Sequence, residues 1–151
     1  MISIRRVPGD DPAAVSMVAA MEAKVAAQLG PMTPDRTSTV APGEMVPPDG
    51  VFVVLEDEGR AVAGGGVRRL DDGVAEIKRM FVVPSARGAG HGRRLLDALE
   101  DAARDLGYRR VRLDTAPSMT TAMEMYRRSG YRDIPDYSGN GYASFWGEKE
   151  L

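Results

Sequence analysis

Three glycines fall within five residues in the stretch VVPSARGAGHGRRLL, which runs from Val82 to Leu96. They are Gly88, Gly90 and Gly92, and they separate an apolar run from an amphipathic, helix-like pattern. A glycine-rich turn that leads into a helix offers bare backbone N–H groups and the positive end of the helix dipole, which together bind anions. The sequence therefore predicts an anion site, such as one for a phosphate, at this helix N-terminus.

Composition and charge limit the class of protein. The chain has 151 residues, of which 43% are hydrophobic and 28% charged, which predicts one soluble globular domain over residues 1–151. A net charge of -2 predicts no general affinity for nucleic acid or for an anionic membrane. Without cysteine and with the single histidine His91, no metal site is expected. No apolar run approaches a membrane-spanning length and no secretory signature is present, so a cytoplasmic location is expected.

The first half of the chain reads as a strand, a helix and a β-meander. Alternating side chains predict a strand at residues 2–7, and Asp11 followed by proline predicts the start of a helix that ends at Gly30. Residues 32–50 show little periodicity, which is typical of a loop. The acidic-glycine turns DEG and DDG divide residues 51–83 into three strands, which predicts antiparallel hairpins.

The second half changes to helical periodicity. A helix is predicted over residues 92–106 and a strand over 109–115, and the crossover helix makes this strand parallel to the one before the glycine turn. A short helix is predicted from a cap at Ser118 to about Gly130. The segments YRDI and YASFWGEKEL predict a last pair of strands.

The glycine turn admits two nucleotide-binding interpretations. A Walker phosphate loop requires Gly-Lys-Ser/Thr, and Gly92 is followed by two arginines, which excludes it. A dinucleotide turn would place a ribose-binding carboxylate near Asp114. The spacing is G-x-G-x-G instead of G-x-G-x-x-G, and only 37 residues follow Asp114. A fragment of a nucleotide-binding oxidoreductase is therefore the less favoured alternative.

Three segments in order resemble the GNAT family of N-acetyltransferases. Residues 87–92 match the motif R/Q-x-x-G-x-G/A, LGYRRVRLDT is similar to the family's fifth strand, and AMEMYRRSGY is similar to its A-x-x-x-Y-x-x-x-G-F/Y segment. The resemblance covers residues 74–131. It implies an α/β fold of the acyl-CoA N-acyltransferase type, with a mixed, mostly antiparallel sheet of six or seven strands flanked by helices and split near Val83.

The resemblance implies acetyl-CoA as co-substrate. Backbone N–H groups of the glycine turn would bind the pyrophosphate, the strand before the turn would bond the pantetheine amides through its main chain, and one N–H would polarise the thioester carbonyl. The cofactor-binding residues implied in this way are Phe81, Val82, Val83, Arg87, Gly88, Ala89, Gly90, His91, Gly92 and Arg93.

Two catalytic residues are implied by the same resemblance. An alkyl amine with a pKa of about 10.4 is almost entirely protonated near neutral pH, so a base is needed before attack and an acid for the departing thiolate. Tyr126 matches the family's general acid, and Glu76 stands where a carboxylate often acts as base through water. Alternatively, Tyr126 only packs in the core, and Glu76 is a surface carboxylate paired with Lys78 or Arg68.

The expected reaction is acetyl transfer from acetyl-CoA to an amine, by direct attack in a ternary complex. A small-molecule amine is the expected acceptor, bordered by residues 31–50, the helix that carries Glu22, and residues 135–142. Met119 stands where many family members have asparagine, so a polar cofactor contact is not expected there. A homodimer is expected from the family's habit alone. The alternative function is a non-catalytic acyl-CoA-binding sensor or partner module of the same fold.

Overall fold

The computed structural model of the chain describes residues 1–30, 40–115, 120–141 and 143–151. Within these residues, seven strands form one sheet, with three α-helices against its faces. The strands are β1 (Ile2–Val7), β2 (Val51–Asp57), β3 (Arg60–Asp71), β4 (Val74–Val82), β5 (Arg110–Thr115), β6 (Arg132–Asp133) and β7 (Phe145–Glu150). The helices are α1 (Pro12–Leu29), α2 (His91–Asp105) and α3 (Thr120–Arg128).

The sheet is mixed and mostly antiparallel, as predicted. Its strand order is β1-β2-β3-β4-β5-β7-β6, and only β4 and β5 are parallel neighbours. The other neighbouring pairs are antiparallel. The parallel pair is joined by α2, as expected for strands whose connection must cross from one end of the sheet to the other.

Two hydrophobic clusters lie on opposite faces of the sheet. On one face, Met17 of α1 packs with Phe52 and Phe81. On the other, Leu95 and Leu99 of α2 are fully buried among the apolar side chains of the sheet. We call these the α1 face and the α2 face. The alternation of side chains along each strand decides which residues reach which face.

The termini of α1 follow from local sequence. A carboxylate oxygen of Asp11 accepts a hydrogen bond from the N–H of Ala13 at 2.9 Å, and proline occupies the first helical position. At the other end Gly30 adopts a φ of 83°, a conformation that side chains disfavour. Both boundaries were predicted from these residue types.

Some sequence predictions are adjusted by the structure. Helix α2 begins and ends one residue earlier than predicted, and the predicted cap Ser118 lies outside the described residues. Of the loop at residues 31–50, only 40–50 are described. There Val40 and Met45 are buried in the α1-face cluster, whereas residues 41–44 and 47–49 are exposed, so two side chains anchor this part of the loop to the core.

Among the described residues, no helix is both long and apolar enough to cross a membrane. Within the same part of the chain, no three acidic or histidine side chains come together in an arrangement that could hold a metal ion.

Candidate active site

Strands β4 and β5 separate soon after they meet. Their parallel pairing covers only residues 74–76 of β4 and 110–112 of β5, although β4 continues to Val82 and β5 to Thr115. The split therefore begins after Glu76, earlier than the predicted position near Val83. We call the space between residues 77–82 of β4 and 113–115 of β5 the interstrand opening.

A β-bulge in β4 accompanies the separation. Gly64 pairs with Phe81 and Gly66 with Lys78, so β4 has two residues where β3 has only Gly65. One of the two, Arg79, has a φ of 60°. A bulge bends the strand that carries it, which explains why β4 leaves its neighbour at this point.

The backbone of β4 presents one of the predicted cofactor-binding residues to the opening. The N–H of Val83 already donates to the carbonyl of Val62 at 2.9 Å, and Phe81 pairs with β3 in the same register. Because backbone groups alternate in direction along a strand, the N–H and C=O of Val82 point away from β3. Of the three main-chain groups expected to bind pantetheine, that of Val82 is the one directed toward the opening.

The glycine turn forms a bare helix N-terminus. Gly88 and Gly90 have φ values of 85° and 80°, so the backbone itself requires glycine there, and an added Cβ would meet no atom within 4 Å. Gly92 lies inside α2, where an added Cβ would make ordinary contact with Met125. In the described part of the chain, no acceptor is recorded for the N–H groups of residues 91–93, as an anion site requires.

The side chains of the turn have their own contacts. Arg87 donates from Nε to the carbonyl of Val82 at 3.1 Å and lies 5.7 Å from the ring centre of Phe81. Arg93 is half-exposed and ion-pairs with Asp97, one helical turn onward. Ala89 is exposed. The imidazole of His91 is buried, and its Nδ1 has no hydrogen-bond partner within the described residues.

The side chain of Tyr126 combines the two alternatives from the sequence: its ring packs in the core, and its hydroxyl lies beside β4. Its ring is buried against Tyr131 and Phe145, with ring centres 5.8 and 6.2 Å away. Its hydroxyl donates to Sδ of Met80, a weak acceptor 3.4 Å away beside the bulge. Burial, reinforced by the negative charge of Asp114, raises the pKa of Tyr126 well above its usual value. The hydroxyl is therefore protonated throughout the neutral pH range.

Glu76 is fully buried, not at the surface. Its Oε1 accepts from Nε of Arg68 at 2.8 Å and lies 2.7 Å from Nη2 of the same side chain. Its Oε2 accepts from the hydroxyl of Tyr137 at 2.7 Å and lies 3.5 Å from Nζ of Lys78. Both pairing partners suggested by the sequence, Arg68 and Lys78, are present. Each carboxylate oxygen of Glu76 accepts at least one hydrogen bond.

A row of alternating charges crosses five strands on the α1 face. Each residue of the row lies directly opposite the next one on the neighbouring strand. The row consists of Arg68, Glu76, Arg112, Glu148 and Arg132. Burial favours a higher pKa for Glu148, but hydrogen bonds from Arg112 and Arg132 outweigh it and lower the pKa. Sequence reasoning missed this row, because the register that aligns distant strands is not visible in the sequence.

The predicted borders of the acceptor site reach the same region. Glu22 of α1 ion-pairs with Arg79 of the bulge at 3.0 Å, and Tyr137 of the 135–142 loop covers Glu76. Asp114, the ribose ligand of the dinucleotide interpretation, instead ion-pairs with Lys78 at 3.0 Å. Met119 and residues 31–39 lie outside the described residues.

A mostly antiparallel sheet that opens between two parallel strands, beside a glycine turn and a bare helix N-terminus, has the architecture of an acyl-CoA N-acyltransferase. The model of the acetyltransferase (GNAT) family matches residues 21–131, and the chain belongs to this family. Family membership removes the oxidoreductase alternative.

Three similar proteins illustrate the relationship. The chain is 30% identical over 139 residues to the N-acetyltransferase YjgM of Escherichia coli, covering 85% of this chain and 80% of that protein. It is 40% identical over 87 residues to an IAA acetyltransferase of Azospirillum brasilense, a match that spans 57% of each chain. The PaiA N-acetyltransferase of Thermoplasma acidophilum, solved in complex with coenzyme A, superposes with a TM-score of 0.73 at 16% identity, over 100% of this chain and 99% of that one.

Proposed function

We propose that this protein transfers the acetyl group of acetyl-CoA to a small-molecule amine, by direct attack in a ternary complex. The observation that carries the proposal is the interstrand opening, which has the hydroxyl of Tyr126 at one side and the N-terminus of α2 at its end. Family membership supports acyl transfer from an acyl-CoA. The opening supplies a path for an extended thioester arm, and the helix N-terminus supplies the anion site.

The residues present fit acetyl-CoA. The pyrophosphate would accept hydrogen bonds from the N–H groups of residues 91–93, which have no acceptor among the described residues. The pantetheine arm would lie along β4 and bond the main chain of Val82. A backbone N–H of this strand would polarise the thioester carbonyl, a role that requires no particular side chain.

Proton transfer to the leaving group falls to Tyr126. Its hydroxyl contacts Met80, which lies on the part of β4 that borders the opening, and its raised pKa keeps the proton in place until a thiolate forms. A buried donor of this kind stabilises charge that develops on sulfur as the thioester bond breaks. A water-mediated base role for Glu76, expected from the resemblance, stays a prediction.

Thermal unfolding with candidate ligands tests the binding half of the proposal. At a ligand concentration about 100 times the dissociation constant, binding to the folded state adds about 2.7 kcal/mol. For a chain of this size that raises Tm by about 5–10 °C. We expect acetyl-CoA and CoA to give such a shift and NAD to give none. A shift with NAD alone contradicts the proposal.

Turnover tests the catalytic half. Release of CoA thiol from acetyl-CoA is measured with a panel of small amines, and at least one amine is expected to accelerate release well above hydrolysis. Binding of CoA without turnover on any amine favours the sensor module instead. The single-domain organisation, the cytoplasmic location and the homodimer stay predictions.

A charged side chain at Gly90 is expected to weaken CoA binding. Gly90→Asp places a carboxylate beside the proposed pyrophosphate site, and we expect the Kd of CoA to rise at least tenfold, about 1.4 kcal/mol. The matched control is Gly90→Asn, which has the same shape and the same positive-φ strain but no charge. Calorimetric titration measures both variants. An equal loss in the two would show that backbone strain, not charge, causes the effect, and normal binding by Gly90→Asp would exclude the phosphate site.

A further inference from the structure

Asp114 has a buried carboxylate oxygen that takes no part in its ion pair with Lys78. It lies on β5, two residues beyond the last position paired with β4, and its side chain is 5% exposed. Its Oδ1 accepts a hydrogen bond from Nζ of Lys78 at 3.0 Å, across the interstrand opening. Its Oδ2 has no hydrogen-bond partner in the described part of the chain. A buried acceptor without a donor is costly, so this atom calls for a functional explanation.

The position of Asp114 relative to Tyr126 suits a pair of proton-transfer groups. Asp114 shares the α1 face with Arg112, two residues earlier on the same strand, whereas Tyr126 belongs to the α2-face cluster. Lys78 of β4 joins Asp114 to Glu76, with Nζ 3.0 Å from Oδ1 of Asp114 and 3.5 Å from Oε2 of Glu76. The hydroxyl of Tyr126 contacts Met80, two residues further along β4. Burial, reinforced by the negative charge of Asp114, raises the pKa of Tyr126. A proton acceptor and a proton donor thus approach the opening from its two faces.

Glu76 is less suited to accept a proton directly. Arg68 donates to one of its oxygens, and Tyr137 and Lys78 contact the other. A proton arriving at Glu76 would displace one of these charge-assisted contacts, which are stronger than hydrogen bonds between neutral groups. No such displacement is needed at Oδ2 of Asp114.

We propose, building on the acetyl transfer proposed above, that Oδ2 of Asp114 binds the ammonium group of the acceptor and takes its proton. The acceptors are accordingly basic alkyl amines, which reach the enzyme as cations. Lys78 is a positioning residue, because it holds Oδ1 and leaves Oδ2 directed to the acceptor. The groups that face this carboxylate are Lys78 with Glu76 behind it from β4, Tyr126 from α3, and Tyr137 from the loop before β7.

The proton and electron balance is complete without another reagent. Asp114 takes one proton from the ammonium group and later releases it to solvent. The freed nitrogen lone pair attacks the thioester carbonyl carbon, and the C–S bond breaks with its electron pair on sulfur. Tyr126 gives its proton to that thiolate and regains one from the acylated nitrogen, directly or through water. The products are an amide, the CoA thiol and one proton in solvent.

The pH dependence of kcat/KM tests this role on the unaltered protein. If Asp114 accepts the proton, the bound cation is the reactive form, and kcat/KM for an alkyl amine stays flat between about pH 7 and about pH 9. If no group accepts it, only the neutral amine reacts, and kcat/KM rises about tenfold per pH unit over that range. The rising profile overturns the proposal.

Two variants show which carboxylate accepts the proton of the ammonium group. Asp114→Asn is expected to lose about 10²–10³-fold in kcat/KM near neutral pH and to acquire the rising profile. Glu76→Gln is expected to keep the flat profile. A flat profile in Asp114→Asn together with a rising one in Glu76→Gln assigns the base to Glu76 and overturns the proposal.

Measurements of CoA binding and of acetyl transfer distinguish a failure of the role of Asp114 from a failure of the proposed function. Both variants are expected to keep the thermal shift with CoA, because neither residue contacts the glycine turn. Absence of acetyl transfer by the unaltered protein to any amine would remove the proposed function. Transfer that is unaffected by Asp114→Asn would remove only the role of Asp114.

Discussion

Replacement of Tyr126 by phenylalanine is expected to lower kcat by about 10²–10⁴-fold, the usual contribution of a general acid. The Kd of acetyl-CoA is expected to change by less than about threefold, because the lost interaction forms mainly in the transition state. The ring and its packing against Tyr131 and Phe145 remain, and only the weak hydrogen bond to Met80 is removed from the folded state. Steady-state rates and calorimetric titration measure the two quantities.

The leaving group supplies an internal check on Tyr126. A donor whose thiol is more acidic depends less on a proton, so the loss in Tyr126→Phe should be smaller with such a donor. Tyr131→Phe is the matched control, since it removes a neighbouring buried hydroxyl that donates to Glu100 at 2.8 Å. Its kcat is expected to stay near normal. An equal loss for acidic and ordinary thiols would indicate positioning of the thioester, and a normal kcat in Tyr126→Phe would leave its hydroxyl a purely structural role.

Replacement of Glu76 by glutamine is expected to destabilise the fold by about 3 kcal/mol, within the range for removing one partner of a buried ion pair. Glutamine has nearly the same shape but no charge, so Arg68 and Lys78 lose the anion they share. For a chain of this size the change lowers Tm by about 6–12 °C. Thermal and denaturant unfolding measure the effect.

An exposed ion pair provides the comparison for Glu76. Glu124 pairs with Arg128 one turn along α3, and both side chains are more than half exposed. Glu124→Gln is expected to change the free energy of unfolding by less than about 0.5 kcal/mol. If Glu76→Gln proves as stable as Glu124→Gln while kcat collapses, the structural role assigned to Glu76 is wrong and its catalytic role is favoured.

Elements whose signals lie in a few neighbouring residues could be predicted before folding was considered. Asp11 and Gly30 specify the two ends of α1 through a side-chain cap and a left-handed backbone conformation. The glycine turn, the start of α2 and the tyrosine segment of α3 could likewise be recognised, because each depends on residues only a few positions apart. These signals were sufficient for the mostly antiparallel sheet, the single parallel pair and the family.

The contacts between distant side chains depend on how the strands pair in the folded protein. Arg68 and Glu148 lie in one row because strand register aligns them, and register depends on pairing between segments far apart in the chain. The same holds for the bulge at Arg79, the end of β4–β5 pairing after Glu76, and the ion pair that joins Lys78 to Asp114. The sequence indicated Glu76 as an available base, but the fold buries it among donors, whereas Oδ2 of Asp114 has no hydrogen-bond partner among the described residues. Burial and hydrogen-bond saturation are properties of the assembled sheet, so no spacing rule along the chain could have assigned them.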